Sequence, residues 1–141
     1  MIKKFGTAHW EGQIKDGGGT ISTETAALSD HPYGFNARFE GGKGTNPEEL
    51  VGASHAGCFA MALSLGLTEA GYTPASIDAK STISLEEKDG GFAVTHAHLD
   101  VTASVPGIEE EEFMQIAKAT ETGCPISKLL SCDISMDAKL S

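Results

Sequence analysis

The feature that most constrains this chain is a long apolar segment between residues 46 and 71. Asn46 is a good helix N-cap, Pro47 suits the first helical position, and Gly71 is a natural stop. The predicted helix is apolar on nearly every face, through Leu50, Val51, Ala53, Ala56, Phe59, Met61, Leu63, Leu65 and Leu67. Such a helix is buried on all sides. One domain of this size struggles to bury both faces, so we expect a partner subunit to help.

Alternation of polar and apolar residues predicts strands on both sides of this helix. They cover residues 8–15, 20–26, 35–40, 77–85, 92–105 and 132–140, and a turn at 88–91 joins two of them into a hairpin. A second helix is predicted from Glu109 to Gly123, and Cys124-Pro125 opens a short third helix. Strands, long helix, hairpin, helix and strand in this order predict an α+β fold, without the regular βαβ alternation of a parallel sheet. We expect a single domain over residues 1–141.

Charge and composition exclude several classes of function. The 141 residues carry a net charge of −10, and an acidic surface repels phosphate backbones and anionic lipid, so we expect neither nucleic acid nor a membrane as partner. No uninterrupted apolar run approaches the ~18 residues of a membrane-spanning helix. The start MIKKFGTAHW has two lysines but no apolar run behind them. We therefore expect no signal peptide and a cytoplasmic location.

Three cysteines, at positions 58, 124 and 132, are too few and odd in number for a secreted disulfide scaffold. In a reducing compartment a cysteine pair is more often catalytic or redox-active. Cys58 is either a small buried hydrophobe or a reachable thiol, because its neighbours are small: Ser54, Ala56, Gly57 and Ala60. Cys124 lies at a helix start, which stabilises a thiolate. Cys132 falls on the apolar face of the last strand and is predicted to belong to the core. His55, one turn before Cys58, could pair with the Cys58 thiol.

Other polar residues have an ordinary structural explanation beside a functional one. Arg38 lies on the polar face of its predicted strand, as solvated surface charges do, and Glu48 suits the first turn of a helix. His96 and His98 project to one side of a strand, an arrangement that can hold zinc. Because no cysteine or carboxylate follows at ligand spacing, exposed strand residues are the favoured interpretation, and a zinc protein is the alternative.

Two cysteine motifs carry a family resemblance. The stretch GTNPEELVGASHAGCFAMAL, with TGCPISKLL some sixty residues later, closely resembles the OsmC/Ohr family of organic hydroperoxide reductases. AHWEGQIK, GTISTET, PYGFNARFEGGKGTNPEEL and VPGI resemble the osmotically inducible OsmC branch, so the resemblance covers essentially the whole chain. It implies an intertwined α+β homodimer in which long central apolar helices pack against antiparallel sheets. It also implies a thiol peroxidase of oxidative and osmotic stress defence, which prefers organic hydroperoxides to hydrogen peroxide.

The resemblance also implies roles for four residues. Cys58 is the peroxidatic cysteine, Cys124 is the resolving cysteine, and Arg38 and Glu48 are their polar partners. No flavin, haem, metal or other cofactor is expected, and a lipoyl-type or thioredoxin-like dithiol would reduce the disulfide. The alternative is a non-catalytic, stress-related binding protein with an incidental thiol.

The position of Glu48 raises a geometric question. Glu48 and Cys58 are ten positions apart on one predicted helix, which is about 15 Å along its axis. A glutamate cannot span this distance to reach an arginine that touches Cys58 in the same chain. Either Gly52 or Gly57 breaks the helix and folds it back, or Glu48 belongs to the site of a partner subunit. We favour the second alternative, because a two-fold pairing buries the apolar face of the helix.

Overall fold

The computed structural model describes residues 1–141 and contains six strands and four helices. The strands are β1 (Gly6–Glu11), β2 (Gly18–Thr23), β3 (His31–Tyr33), β4 (Ser76–Lys88), β5 (Gly91–Ser104) and β6 (Asp133–Leu140). The helices are α1 (Phe35–Phe39), α2 (Pro47–Glu69), α3 (Glu110–Gly123) and α4 (Pro125–Leu129). The α+β class is confirmed.

The chain divides into two compact units, Met1–Leu50 and Val51–Ser141. Helix α2 begins in the first unit and continues through the second. A single domain over residues 1–141 stays a prediction.

The first unit contains an antiparallel sheet in the order β1-β2-β3, followed by α1. The predicted strand over residues 35–40 is wrong, because Phe35–Phe39 forms α1 and the third strand is β3. Alternation over so few residues also suits one helical turn, in which residues four apart are neighbours. The rings of Phe35 and Phe39 make that contact, with centroids 4.9 Å apart.

The second unit contains a sheet in the order β4-β5-β6. The predicted hairpin is confirmed as the antiparallel pair of β4 and β5, whereas β6 runs parallel to β5. The expectation of wholly antiparallel sheets is therefore wrong for β6. The physical reason is the crossover through α3 and α4, which returns the chain to the end of the sheet where β5 began.

The core of the second unit lies between α2, α3 and one face of this sheet. On β5, alternate residues are buried in it: Ala97, Leu99, Val101 and Ala103. The helices contribute Phe59, Leu63 and Leu67 from α2 and Phe113 and Ala117 from α3. The intervening β5 residues, His96, His98 and Asp100, lie on the opposite, polar face of the sheet.

Both ends of α2 have the predicted signals. The Glu49 N–H donates to Oδ1 of Asn46 at 2.8 Å, which is an N-cap hydrogen bond. At the other end Gly71 has φ +94°, and the Tyr72 N–H donates to the Leu67 carbonyl at 2.9 Å. This is the Schellman arrangement that ends a helix at glycine.

Helix α2 is not buried on all sides in a single chain. Its buried residues form one stripe, Gly52, His55, Phe59, Leu63 and Leu67, whereas Met61 is 78% exposed and Leu65 is 58% exposed. By length and composition α2 could also cross a membrane, although its apolar run is interrupted by polar residues, among them Ser54, His55 and Ser64. The core helix of a soluble protein passes the same test, and one stripe of α2 is packed in a core.

Candidate active site

The structure brings together the two cysteines that the sequence singled out. Cys58, on α2, and Cys124, between α3 and α4, lie close enough for the Cys124 thiol to raise the pKa of Cys58, and neither forms a disulfide. Cys58 is half-buried, whereas Cys124 is 1% exposed. The pair is thus a dithiol of close neighbours, with Cys58 the more accessible member.

The start of α4 directs two backbone donors at the two sulfurs. Cys124 is the N-cap and Pro125 the first residue, so the N–H groups first available belong to Ile126 and Ser127. The Ser127 N–H donates to Sγ of Cys124 at 3.4 Å, and the Ile126 N–H lies near enough to the sulfur of Cys58 to act against the rise in its pKa. Donors of this kind favour negative charge on sulfur.

Burial nevertheless keeps the pKa of the Cys58 thiol above its ordinary value. Desolvation is the largest cause and the neighbouring Cys124 adds to it, whereas the Ile126 N–H acts in the opposite direction. The nucleophile toward peroxide is thiolate. The raised pKa opposes ionisation of Cys58, and a nearby cation would favour it.

The first unit contains a preformed ion pair between the two predicted polar partners. Nη2 and Nε of Arg38 donate to Oε1 of Glu48 at 2.6 and 3.1 Å. Arg38 belongs to α1 rather than to a strand, and its guanidinium also lies 5.2 Å from the centroid of the Phe39 ring. The carboxylate orients the guanidinium, and Arg38 remains 37% exposed.

Helix α2 is continuous from Pro47 to Glu69. The alternative in which Gly52 or Gly57 folds it back is therefore wrong. Along a straight helix, ten residues correspond to about 15 Å. Glu48 pairs with Arg38 of its own chain, and which chain's Cys58 this pair serves stays a prediction.

Two residues beside the cysteines were missed or misassigned from the sequence. His55 is fully buried. Its ring nitrogen Nδ1 lies 2.7 Å from Oγ of Ser81, and Nε2 lies 2.9 Å from Oγ of Ser127. Its predicted partner was the Cys58 thiol. Oγ of Ser127 in turn lies 3.0 Å from Sγ of Cys124. Burial lowers the pKa of His55, so the neutral imidazole is favoured.

Cys132 lies outside this site. It precedes β6, is half-buried, and lines a surface cleft with Glu86, Lys88 and Asp133. The prediction that it belongs to the core is wrong, because the apolar face of β6 begins only with Ile134.

The two histidines considered for zinc lie on the polar face of the second sheet. Nε2 of His96 and Nδ1 of His98 both contact Oγ of Ser135 at 2.6 Å. The group that could hold a cation is His98 with Asp100 and Asp137, whose ligand atoms lie within 4.8 Å of one another. The expectation that no carboxylate lies at ligand spacing is wrong, because Asp100 follows His98 by two residues on the same face of β5. Only Asp137 depends on the parallel register of β5 and β6, which places it beside Asp100. The same atoms also form ordinary ion pairs, at 3.5 and 3.1 Å.

The fold and the dithiol define a class: an α+β thiol protein whose two cysteines meet at the junction of a core helix and a short helix start. The model of the OsmC-like protein family matches residues 40–139, which include Glu48, Cys58 and Cys124. The chain belongs to the OsmC family.

Known relatives agree with this assignment. Peroxiredoxin OsmC of Escherichia coli K12 is 55% identical over 139 residues, which are 99% of this chain and 97% of that protein. Organic hydroperoxide resistance protein OhrB of Bacillus subtilis is 28% identical over 86% of this chain and 88% of its own length. The crystal structure of OhrB superposes with a TM-score of 0.75 at 26% identity, covering 99% of this chain and 98% of that one. The predicted family and the prediction of a peroxidase are confirmed.

Proposed function

We propose that this protein reduces organic hydroperoxides to alcohols, with Cys58 as the peroxidatic cysteine and Cys124 as the resolving cysteine. The observation that carries the proposal is the proximity of two reduced thiols, close enough for Cys124 to act on the pKa of Cys58. A sulfenic acid formed on Cys58 would have its resolving thiol already beside it. The peroxidase and hydroperoxide-resistance names of the relatives agree with this chemistry.

The cycle balances with the two cysteines and an external dithiol. The Cys58 thiolate attacks the terminal peroxide oxygen, the O–O bond breaks, and the alkoxide takes a proton and leaves as alcohol. The sulfur of Cys124 then attacks the Cys58 sulfenic acid, and a disulfide and water form. A lipoyl-type or thioredoxin-like dithiol reduces that disulfide by two exchange steps. The chain needs no resident cofactor for these steps.

The proposal includes a homodimer in which the Arg38–Glu48 pair of one subunit serves Cys58 of the other. Two observations support it. Met61 and Leu65 leave an apolar face of α2 uncovered in the single chain, and burial of such a face stabilises association. A nearby cation would also favour ionisation of Cys58, and the oriented, partly exposed guanidinium of Arg38 is suited to supply it.

The apolar surroundings of the dithiol favour a substrate with an alkyl or aryl group. An open groove between α2 and α3 reaches Cys124 and is lined mainly by small and apolar residues, among them Ala62, Gly66, Ile116 and Ala119. The apolar part of a hydroperoxide would pack there, and hydrogen peroxide has no such part. We infer a cytoplasmic setting, where reducing dithiols are available.

Substrate preference tests the proposed function directly. With dihydrolipoamide as reductant, we expect turnover of cumene hydroperoxide with a kcat/KM about tenfold or more above that for hydrogen peroxide, the scale that a few buried apolar atoms supply. Peroxide consumption at matched concentrations measures it. Absence of turnover with either peroxide contradicts the proposed function. Equal kcat/KM values contradict the substrate class alone.

Removing the guanidinium is expected to raise the pKa of the Cys58 thiol. In Arg38→Ala, burial is no longer offset by a cation, so the profile of alkylation rate against pH moves to higher pH. A change of about two in a thiol pKa is worth about 2.7 kcal/mol and decides whether thiolate is the main form at pH 7. We therefore expect iodoacetamide to alkylate Cys58 about tenfold or more slowly at pH 7, with equal rates well above the thiol pKa.

Lys43→Ala is the matched control for this substitution. It removes an exposed cation from the same glycine-rich segment and should leave the profile unchanged. Identical profiles for Arg38→Ala and the unmodified protein would show that Arg38 does not act on Cys58.

A further inference from the structure

A continuous chain of hydrogen bonds leads away from the resolving cysteine. Sγ of Cys124 lies 3.0 Å from Oγ of Ser127, which lies 2.9 Å from Nε2 of His55. Nδ1 of the same ring lies 2.7 Å from Oγ of Ser81. Four side chains from α2, β4 and the start of α4 are thus joined in one line.

Burial separates the two ends of this chain. Cys124 and Ser127 are almost fully buried and His55 is fully buried, whereas Ser81 is half-buried at the edge of the core. Gly52 brings the α2 backbone close to β4, because a Cβ at that position would lie 2.8 Å from the Ser81 carbonyl oxygen. This close approach sets His55, one turn further along α2, within reach of Ser81. The hydrogen bonds therefore connect the buried Cys124 thiol to Ser81, which is only half-buried.

The bond pattern defines a direction for protons. The Cys124 S–H can donate to Oγ of Ser127, the Ser127 O–H to Nε2 of His55, and the His55 Nδ1–H to Oγ of Ser81. This arrangement requires neutral imidazole, which is the form that burial favours. Ser127 and His55, the two inner groups of the line, then each have one donor and one acceptor in use.

We propose that Ser127, His55 and Ser81 form a relay that carries the thiol proton of Cys124 toward solvent as Cys124 attacks the sulfenic acid on Cys58. The inference rests on the proposed function, because it concerns the disulfide-forming step. Ser127 touches the reacting sulfur. His55 acts through Ser127 and is a positioning residue.

The step is balanced in atoms and electrons. The bond between the sulfurs of Cys58 and Cys124 forms as the S–O bond breaks; the Cys124 sulfur is oxidised and the Cys58 sulfur is reduced by one electron each. The hydroxide that leaves Cys58 takes a proton from solvent and becomes water. The thiol proton of Cys124 enters the relay at Ser127, and a proton is released at Ser81. When the external dithiol reduces the disulfide, Cys124 leaves as thiolate and the relay runs in reverse.

The electrostatic surroundings fit a relay better than a fixed charge. Cys58 is the titratable neighbour of Cys124, and it becomes neutral on conversion to sulfenic acid. Burial is the cause of the lowered His55 pKa, with no charged group contributing to it. A lasting positive charge on His55 is disfavoured, so a proton that enters at Nε2 is passed on from Nδ1.

Ser127→Ala tests the relay with little change of shape, since the backbone N–H to Cys124 remains. Without a proton acceptor for the Cys124 thiol, we expect disulfide formation at pH 7 to slow about a hundredfold, the scale that a positioned proton acceptor contributes. The difference should diminish at high pH, where hydroxide can take the proton instead. One equivalent of cumene hydroperoxide in a single turnover, with dimedone trapping of the sulfenic acid, measures the rate at each pH. The first oxidation of Cys58 should keep its rate.

His55→Gln separates a relay from a structural role. The glutamine amide can still hydrogen-bond to serines, but it cannot take a proton at one nitrogen and release another. We expect the same slow, pH-dependent disulfide formation as in Ser127→Ala, and no additive effect in the double variant. In the unmodified protein the rate should decline only below the ordinary histidine pKa, because His55 must stay neutral.

Ser135→Ala is the matched control, since Ser135 also contacts histidine nitrogens but lies on the polar face of the sheet. It should behave as the unmodified protein. Unchanged disulfide formation in both Ser127→Ala and His55→Gln would overturn the relay, as would slowing by the same factor at every pH. If Cys58 of the unmodified protein formed no sulfenic acid, the proposed function itself would fail, which is a different result.

Discussion

Replacing Cys58 by serine is expected to abolish hydroperoxide reduction. A serine hydroxyl is not ionised at neutral pH and does not attack peroxide oxygen as a thiolate does, so we expect kcat/KM to fall at least about a thousandfold, as when other enzymes lose their nucleophile. Peroxide consumption with a dithiol reductant measures the loss. Turnover equal to that of the unmodified protein would show that Cys58 is not the peroxidatic cysteine.

The other two cysteines provide the comparison for this result. Cys124→Ser should consume one equivalent of peroxide, leave a sulfenic acid on Cys58, and form no intramolecular disulfide, because the neighbouring thiol is gone. Cys132→Ser should have nearly unchanged activity, since Cys132 lies in a separate surface cleft. A large loss in Cys132→Ser would assign a role to that cleft.

Mixing an inactive protein with an impaired one is expected to restore activity if each active site is shared between chains. In a heterodimer of Cys58→Ser and Arg38→Ala subunits, the intact Cys58 of one chain meets the intact Arg38–Glu48 pair of the other. The second site of that heterodimer carries both substitutions. Random association makes half of all dimers heterodimers, so refolding an equal mixture should regenerate about a quarter of the wild-type activity. Glu48→Ala in place of Arg38→Ala should also recover activity on mixing. The activity of the Glu48→Ala protein before mixing should be higher than that of Arg38→Ala, because the guanidinium remains but is less well oriented.

The control is a mixture in which the intact residues cannot meet. In this control the double variant Cys58→Ser/Arg38→Ala is mixed with Arg38→Ala. Some chains then have an intact Cys58, but no chain has Arg38, so we expect no recovery of activity. Lack of recovery in well-mixed Cys58→Ser and Arg38→Ala heterodimers would count against shared sites. A fully active monomer in sedimentation would also do so.

The raised pKa of Cys58 gives a physical reason for the proposed arrangement. Within the second unit, one backbone N–H favours the thiolate, and burial outweighs it. A nearby cation would favour the thiolate. In the proposed homodimer, ionisation of the peroxidatic cysteine depends on assembly, because the partner supplies the guanidinium.

Local sequence determined those features that depend on neighbouring residues. Asn46, Pro47 and Gly71 set the ends of α2, and Cys124-Pro125 set the start of α4, because caps and proline act on the backbone within one turn. The hairpin of β4 and β5 followed from its turn for the same reason. The family resemblance assigned roles to four residues, but it could not show which atoms meet.

Short patterns without such signals were ambiguous. Phe35 and Phe39 alternate with polar residues as in a strand, yet four-residue spacing also lets their rings meet on a helix. The direction of β6 was likewise undetermined by its own sequence, because the path of the chain through α3 and α4 decides it. Cys132 lies outside the core because β6 begins at Asp133, one residue later than predicted.

Tertiary structure alone decided what the cysteines contact. Cys58 lies on α2 and Cys124 at the start of α4, and only packing of both helices on one sheet makes their thiols neighbours. His55 and Ser127, 72 positions apart, meet for the same reason. The spacing of His55 to Cys58 predicted a pair between them, but the partner of a side chain is set by the direction in which it is buried. Backbone preferences act over a few residues, whereas the pairs that do chemistry are formed by the sheet that holds the two helices together.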